Sequence, residues 1–188
     1  MKGIIIIMES KKIKIFALFG ESASGKDTIQ KRMVSHNPEV KEIVNCTTRP
    51  KRDNEIEGID YYYLTNEKFA EAVLNGDMLE ATDFNGWFYG TRIQELDENK
   101  TNLGVFNIAG IECLLEDPRL EVYPIYVCAP AKVRLLRAVQ REQNPDCHEI
   151  CRRFLADEKD FDDIEFDYET IYNHGDFEDT ITQMDKIL

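Results

Sequence analysis

Apolar runs alternate along the chain with amphipathic stretches. Residues 12–20, KIKIFALFG, are apolar and end in glycine, which predicts a buried strand. Residues 26–36, KDTIQKRMVSH, place Ile29 and Met33 one turn apart and predict a helix that Pro38 closes. A short strand is expected at VKEIVN (40–45), and a buried one at LGVFNIAG (103–110), followed by a short helix to Pro118. LEVYPIYVCAP (120–130) predicts another strand. AKVRLLRAVQRE (131–142) and CHEICRRFLADEKDF (147–161) predict helices rich in arginine. FDYETIYN (166–173) predicts the last strand and FEDTITQMDKIL (177–188) the closing helix. Residues 46–91 break the rhythm. They are polar, aromatic and turn-rich, with DYYYL (60–64) as a strand and KFAEAVLNGD (68–77) as a helix ending at Gly76. Alternating βα units predict an α/β fold with a parallel sheet covered by helices. With no repeat and no low-complexity linker, 188 residues suit one domain.

Charge narrows the partners. A formal net charge of −13 and a pI near 4.7 argue against nucleic acid or an anionic membrane as the main partner. Nucleotide phosphates remain possible where cations and backbone amides collect. The opening MKGIIIIMES is too short for a signal h-region or a membrane span; it reads as a strand extension or a loose tail, with Met8 an alternative start. Five scattered cysteines without a signal peptide suggest a reduced, cytoplasmic protein. Cys147, His148 and Cys151 lack a second ligand pair and read as a helix face rather than a metal site.

The strand at 12–20 runs into GESASGKDT, residues 20–28. Gly20 through Lys26 fit G-x-x-x-x-G-K, with a strand before and a helix after, as a phosphate-binding loop requires. Its glycines let backbone N–H groups wrap an anion at a helix N-terminus, and Lys26 would reach the β- and γ-phosphates. Gly20, Ser22, Ala23, Ser24, Gly25, Lys26, Asp27 and Thr28 are the expected ATP-binding residues. The position that normally offers a hydroxyl to Mg²⁺ holds Asp27.

A second cluster, CTTRPKRDNEIEGIDYYYL, holds Arg49 and Arg52 three residues apart, with Tyr61 and Tyr63 beyond. Two guanidinium forks and a phenol can converge on one phosphate. A solvated charged loop is the alternative for this stretch taken alone.

Taken with the loop, the cluster closely resembles the guanylate kinase family, whose pattern T-[ST]-R-x-x-[KR]-x-x-[DE]-x-x-G-x-x-Y-x-[FY] is met at every fixed position from Thr47 to Tyr63. NGDMLEATDFNGWFYGT and the terminal YNHG continue the likeness over nearly all the chain after residue 12. The resemblance implies a three-layer α/β/α P-loop kinase core (12–45, 92–130, 157–188), an inserted NMP-binding subdomain (46–91) and a small helical lid (131–156). It implies transfer of phosphate from ATP, with Mg²⁺, to GMP or dGMP. By position, Arg49, Arg52, Tyr61 and Tyr89 would hold the acceptor phosphate. Glu80 would accept from guanine N1–H and the 2-amino group, with Thr91 beside it. Arg137, Arg141 and Arg153 match lid arginines that close on the transferring phosphate, and Asn173 matches an adenine contact. The acid-rich run 157–168 has no counterpart in the site and reads as a solvated helix face.

Four positions depart from the family pattern. Asp27 replaces the loop hydroxyl. Val105 and Asn107 replace two strand aspartates near metal and base. Asn45 replaces a serine near guanine O6, where its amide could still donate. Asp27 is the candidate for a relocated Mg²⁺ anchor. Three readings follow: a GMP or dGMP kinase, a kinase for another nucleoside monophosphate, or a non-catalytic binding module.

Overall fold

The computed structural model describes residues 11–188 apart from 53, 85 and 142; the N-terminal isoleucine run lies outside the described residues. β1 (Ile13–Phe19) leads to α1 (Lys26–His36), then β2 (Val40–Glu42), β3 (Cys46–Thr47) and β4 (Tyr62–Tyr63). Next come α2 (Asn66–Leu74), β5 (Met78–Phe84), β6 (Trp87–Arg92), β7 (Thr101–Val105) and α3 (Ile108–Glu116). The chain closes with β8 (Leu120–Cys128), α4 (Ala131–Gln140), α5 (Cys147–Asp160), β9 (Glu169–Tyr172) and α6 (Phe177–Ile187).

Two sheets organise these elements. A five-stranded sheet runs β2-β7-β1-β8-β9, parallel throughout. From Ile15 to Phe19 strand β1 is buried on both faces, and that stretch is continuously apolar. Phe16 and Leu18 pack with Ile29 and Met33 of α1 and with Ile181 and Met184 of α6. Ile15, Ala17 and Phe19 point the other way, onto Ile111 and Leu114 of α3. The result is the three-layer α/β/α core. A four-stranded sheet, β4-β3-β6-β5, is inserted between β2 and β7 and is mixed in direction.

Several expected boundaries shift, and three of them bear on the site. The strand expected over 103–110 stops at Val105, because the Asn107 side chain accepts the Gly110 N–H at 2.7 Å and starts α3. The last strand is four residues long, since Phe166 and Tyr168 set their rings edge-on to Phe19 from a loop instead of joining the sheet. The helix expected to Phe161 ends at Asp160, and its acidic run is not simply a solvated face, as shown below. The β5–β6 hairpin pairs Phe84 with Trp87, and Gly86 in its turn has φ +77°.

Candidate active site

The phosphate-binding loop leaves β1 at the centre of the sheet, where the strand order reverses and α/β folds bind ligands. Its two glycines are dictated by space and backbone. Gly20 has φ +144°, and a Cβ there would stand 2.6 Å from the Val127 carbonyl oxygen. Gly25 has φ +102°, and a Cβ would run into the Asn173 amide. Ala23, at φ +61°, is the one non-glycine with positive φ among the described residues. The Lys26 ammonium folds back to donate to the Gly20 and Glu21 carbonyls at 2.6 and 3.0 Å. Burial lowers its pKa, against the pull of Asp27, Asp157 and Glu21. Ser24 is buried inside the loop, and Asp27 and Thr28 are exposed on the first turn of α1.

Two residues expected elsewhere turn out to brace this loop. Arg137 donates to the Ser24 and Asn173 carbonyls at 3.2 and 3.1 Å, so it lies behind the loop, not with the other arginines. Asn173, expected at adenine, is 4% exposed; its amide donates to Ser24 O at 2.8 Å and accepts from Thr180. The short β9–α6 connection packs it against the loop, which uses both ends of the amide.

On the acceptor side, Arg49 is nearly buried and forms a two-pronged pair with Glu55, at 3.0 and 2.8 Å. Glu55 also accepts the Arg52 N–H at 2.9 Å and the Tyr63 hydroxyl at 2.7 Å. Burial opposes ionisation of Glu55, but Arg49, the Arg52 N–H and the Tyr63 hydroxyl outweigh it and hold its pKa at about 2. Tyr61 and Tyr89 meet edge to face at 6.0 Å between centroids.

These groups face the helices across open space. A cavity of about 890 Å³ is lined by Arg49, Arg52, Tyr61, Tyr89, Asp27 and Arg141. A smaller one, of about 170 Å³, joins Ser22, Lys26, Asp27 and Tyr61 to Arg141 and Arg153. Burial lowers the Arg52 pKa, and so does repulsion from Arg49, Arg153 and Arg141. Cations from the inserted sheet, α5 and the end of α4 therefore crowd one another beside the loop, an arrangement that an anion would relieve.

The base end is more closed. Glu80 is 7% exposed and sits opposite Thr91 in the β5–β6 ladder, just after a register shift. Its Oε1 lies 2.8 Å from the Thr91 hydroxyl, and burial raises its pKa to about 7 against that hydrogen bond. Asn45 donates to Val105 O at 2.5 Å and offers its oxygen to Thr91 at 3.0 Å. Asn107 caps α3 and donates to the Thr82 hydroxyl at 2.8 Å, while lining a 430 Å³ cavity with Tyr89 and Lys26.

Among the described residues, no group of three or more His, Cys, Asp or Glu side chains is arranged to hold a metal. Among the described residues Asp27 makes no side-chain hydrogen bond or ion pair, and it borders the 890 and 170 Å³ cavities, so it fits one ligand of a cation that arrives with nucleotide phosphates. Sequence reasoning missed Glu21, Glu55, Arg134 and Asp157. Glu55 stood in the quoted pattern without a role. Asp157, in the run read as a solvated face, is 3% exposed and accepts the Ser22 N–H at 2.7 Å.

The profile of the guanylate kinase family matches residues 12–188. The guanylate kinase of Mycoplasmoides gallisepticum is 27% identical, over 98% of this chain and 96% of its own. That of Frankia casuarinae is 31% identical over 78% of this chain and 85% of its own. Among solved structures, the guanylate kinase from Anaplasma phagocytophilum superposes with a TM-score of 0.71 at 23% identity, over 95% of this chain and 85% of that one.

Proposed function

The chain belongs to the guanylate kinase family, and we propose that it transfers the γ-phosphoryl group of ATP to GMP or dGMP. The observation that carries this reading is the convergence of Arg49 and Arg52 with Arg141 and Arg153 beside the P-loop lysine. Phosphoryl transfer asks a protein mainly to position two substrates and stabilise charge, and this cluster suits that task. Residues 46–91 act as the acceptor module, residues 131–156 as the lid, and the rest as the core.

In this reading Arg49, Arg52, Tyr61 and Tyr89 hold the acceptor phosphate. Lys26 leaves the loop carbonyls for the β- and γ-phosphates, while the loop N–H groups cradle them. Arg141 and Arg153 face the equatorial oxygens of the transferring group. Arg137 and Asn173 keep the loop in shape. Glu80, ionised, accepts two guanine N–H groups, with Thr91 and Asn45 fixing its orientation; Asn107 holds β5 to α3. Asp27 would hold Mg²⁺, which would supply neutralisation of phosphate charge. Exchange of Asp27 for Ala should raise the Mg²⁺ needed for half-maximal rate about tenfold. An unchanged Mg²⁺ requirement would remove Asp27 from that role.

A coupled assay with ATP and a panel of ribo- and deoxyribonucleoside monophosphates tests the function. GMP and dGMP should exceed every other acceptor in kcat/KM by roughly a hundredfold or more. No turnover of GMP, or preference for another base, would overturn the reading.

A further inference from the structure

Helices α4 and α5 carry Arg141 at one end and Arg153 within, and apart from Ala138 their apolar residues are exposed or only half-buried. Leu135, Leu136 and Leu155 are exposed. The buried residues of α4 are Arg134 and Ala138, and the buried residue of α5, over fourteen positions, is Asp157. The hairpin is therefore fastened at an ionic rung.

That rung is fully engaged. Asp157 accepts the Ser22 N–H at 2.7 Å and the Ser22 hydroxyl at 3.2 Å, and faces Arg134 Nη1 at 3.3 Å. Arg134 Nη2 reaches Glu21 at 3.1 Å, its Nε donates to Ala129 O at 3.2 Å, and its guanidinium lies 4.8 Å from the Phe154 ring centroid. Ser22 and Glu21 belong to the phosphate-binding loop, so one cluster joins the loop, α4 and α5.

The spacing then relates this cluster to the cations that line the cavity, of which Arg153 also pairs with Glu149 at 2.7 Å one turn back on α5. Arg153 precedes Asp157 by four residues, and Arg141 follows Arg134 by seven, so each pair shares one helix face. The lower member of each pair is pinned to the loop. The upper member lines the cavity above Lys26. We propose that Asp157 is a positioning residue for phosphoryl transfer: by clamping α5 to Ser22 and capturing Arg134, it sets where Arg141 and Arg153 stand over the donor phosphates. It borders the 430 Å³ cavity, but its carboxylate is engaged by Ser22 and Arg134, so its removal should affect the rate of transfer more than the binding of either nucleotide. The assignment rests on the kinase reading above.

The test is a cycle of Asp157→Ala, Arg153→Ala and the double variant, with kcat and KM measured for ATP and GMP and with melting followed for each protein. Asp157→Ala should lower kcat by about thirtyfold or more, with each KM within about threefold of wild type. In that background Arg153→Ala should cost under about threefold, against a much larger factor in wild type, because a misplaced arginine has little left to lose. Asp157→Asn, which keeps an acceptor for the Ser22 N–H, should recover most of the rate; if Asp157→Ala melts below the assay temperature, the same cycle is run with Asp157→Ser. Tryptic cleavage between residues 141 and 153 should quicken at least tenfold in Asp157→Ala, a readout that needs no catalysis. Arg153→Ala costing the same factor in both backgrounds, or unchanged cleavage, would overturn the proposal. An inactive wild type would instead remove the kinase reading, with the cleavage result still deciding the clamp.

Discussion

The acceptor module and the phosphate-binding loop both hold cations against internal carboxylates, but over different distances. Around Glu55, Arg49 and Arg52 lie within six residues, inside one turn-rich segment. At the loop, Ser22 meets Asp157 across 135 residues, and Arg134 arrives from a third element. The local cluster keeps its arginines facing a wide cavity. The distant one buries its arginine and acid and leaves other arginines to line the cavity beside Lys26. Preorganisation is thus built into the sequence neighbourhood on one side and into the tertiary fold on the other.

The largest effect should come from breaking the local side. Glu55→Gln keeps the shape but leaves Arg49 nearly buried without its charge partner. The KM for GMP should rise roughly tenfold to a hundredfold, and stability should fall by about 1–3 kcal/mol, below a fully buried pair because Glu55 is partly exposed. The pH dependence has a definite sign. Glu55 is held near 2, below its unfolded value, so its stabilisation is present above about pH 4.5 and lost as pH falls towards 2. Melting of Glu55→Gln should therefore decline less steeply than wild type over that window. A KM for GMP equal to wild type would show that the pairing does not prepare the site.

Glu80 gives a smaller, sharper test, since burial sets its pKa and no cation among the described residues pairs with it. A carboxylate raised to about 7 must ionise before accepting guanine N–H groups. The kcat/KM for GMP should rise about tenfold between pH 6 and 8. The same shift predicts the opposite trend for the empty protein: Glu80 binds its proton more tightly when folded, so its contribution to stability falls as pH rises from about 4.5 through 7. A kcat/KM flat across pH 6 to 8 would contradict the assignment.

Legibility follows the same divide. The loop from Gly20 to Lys26, the run from Thr47 to Tyr63, and most strands and helices were readable, because each is specified by neighbours within a few residues. Asp157 was misread, because a surface acid and a buried one look alike until Ser22 and Arg134 stand beside it. Arg137 and Asn173 were assigned to substrates although their hydrogen bonds go to loop carbonyls, which carry no side-chain mark in the sequence. The ends of β7 and β9 moved because Asn107 caps a helix and because aromatic packing on Phe19 keeps residues 166–168 out of the sheet.

The smallest expected effect lies in the loop backbone. Ala23 holds φ +61°, where glycine is freer. Ala23→Gly should change stability by no more than about 1 kcal/mol, relief of strain being opposed by a more flexible unfolded chain, with turnover kept. Thermal melting checks it, and a loss of several kcal/mol would mean that the Ala23 side chain has a packing role.

The central claim is that arginines from the acceptor segment and from α5 serve one transfer site, Arg52 on the acceptor phosphate and Arg153 on the group that moves to it. A kinetic double-mutant cycle between Arg52 and Arg153 tests it most directly. If the two phosphates meet in one transition state, Arg52→Ala and Arg153→Ala should be coupled by about 1 kcal/mol or more in kcat/KM. Effects that add to within about 0.3–0.5 kcal/mol would mean that the two arginines serve separate sites, and would contradict the account.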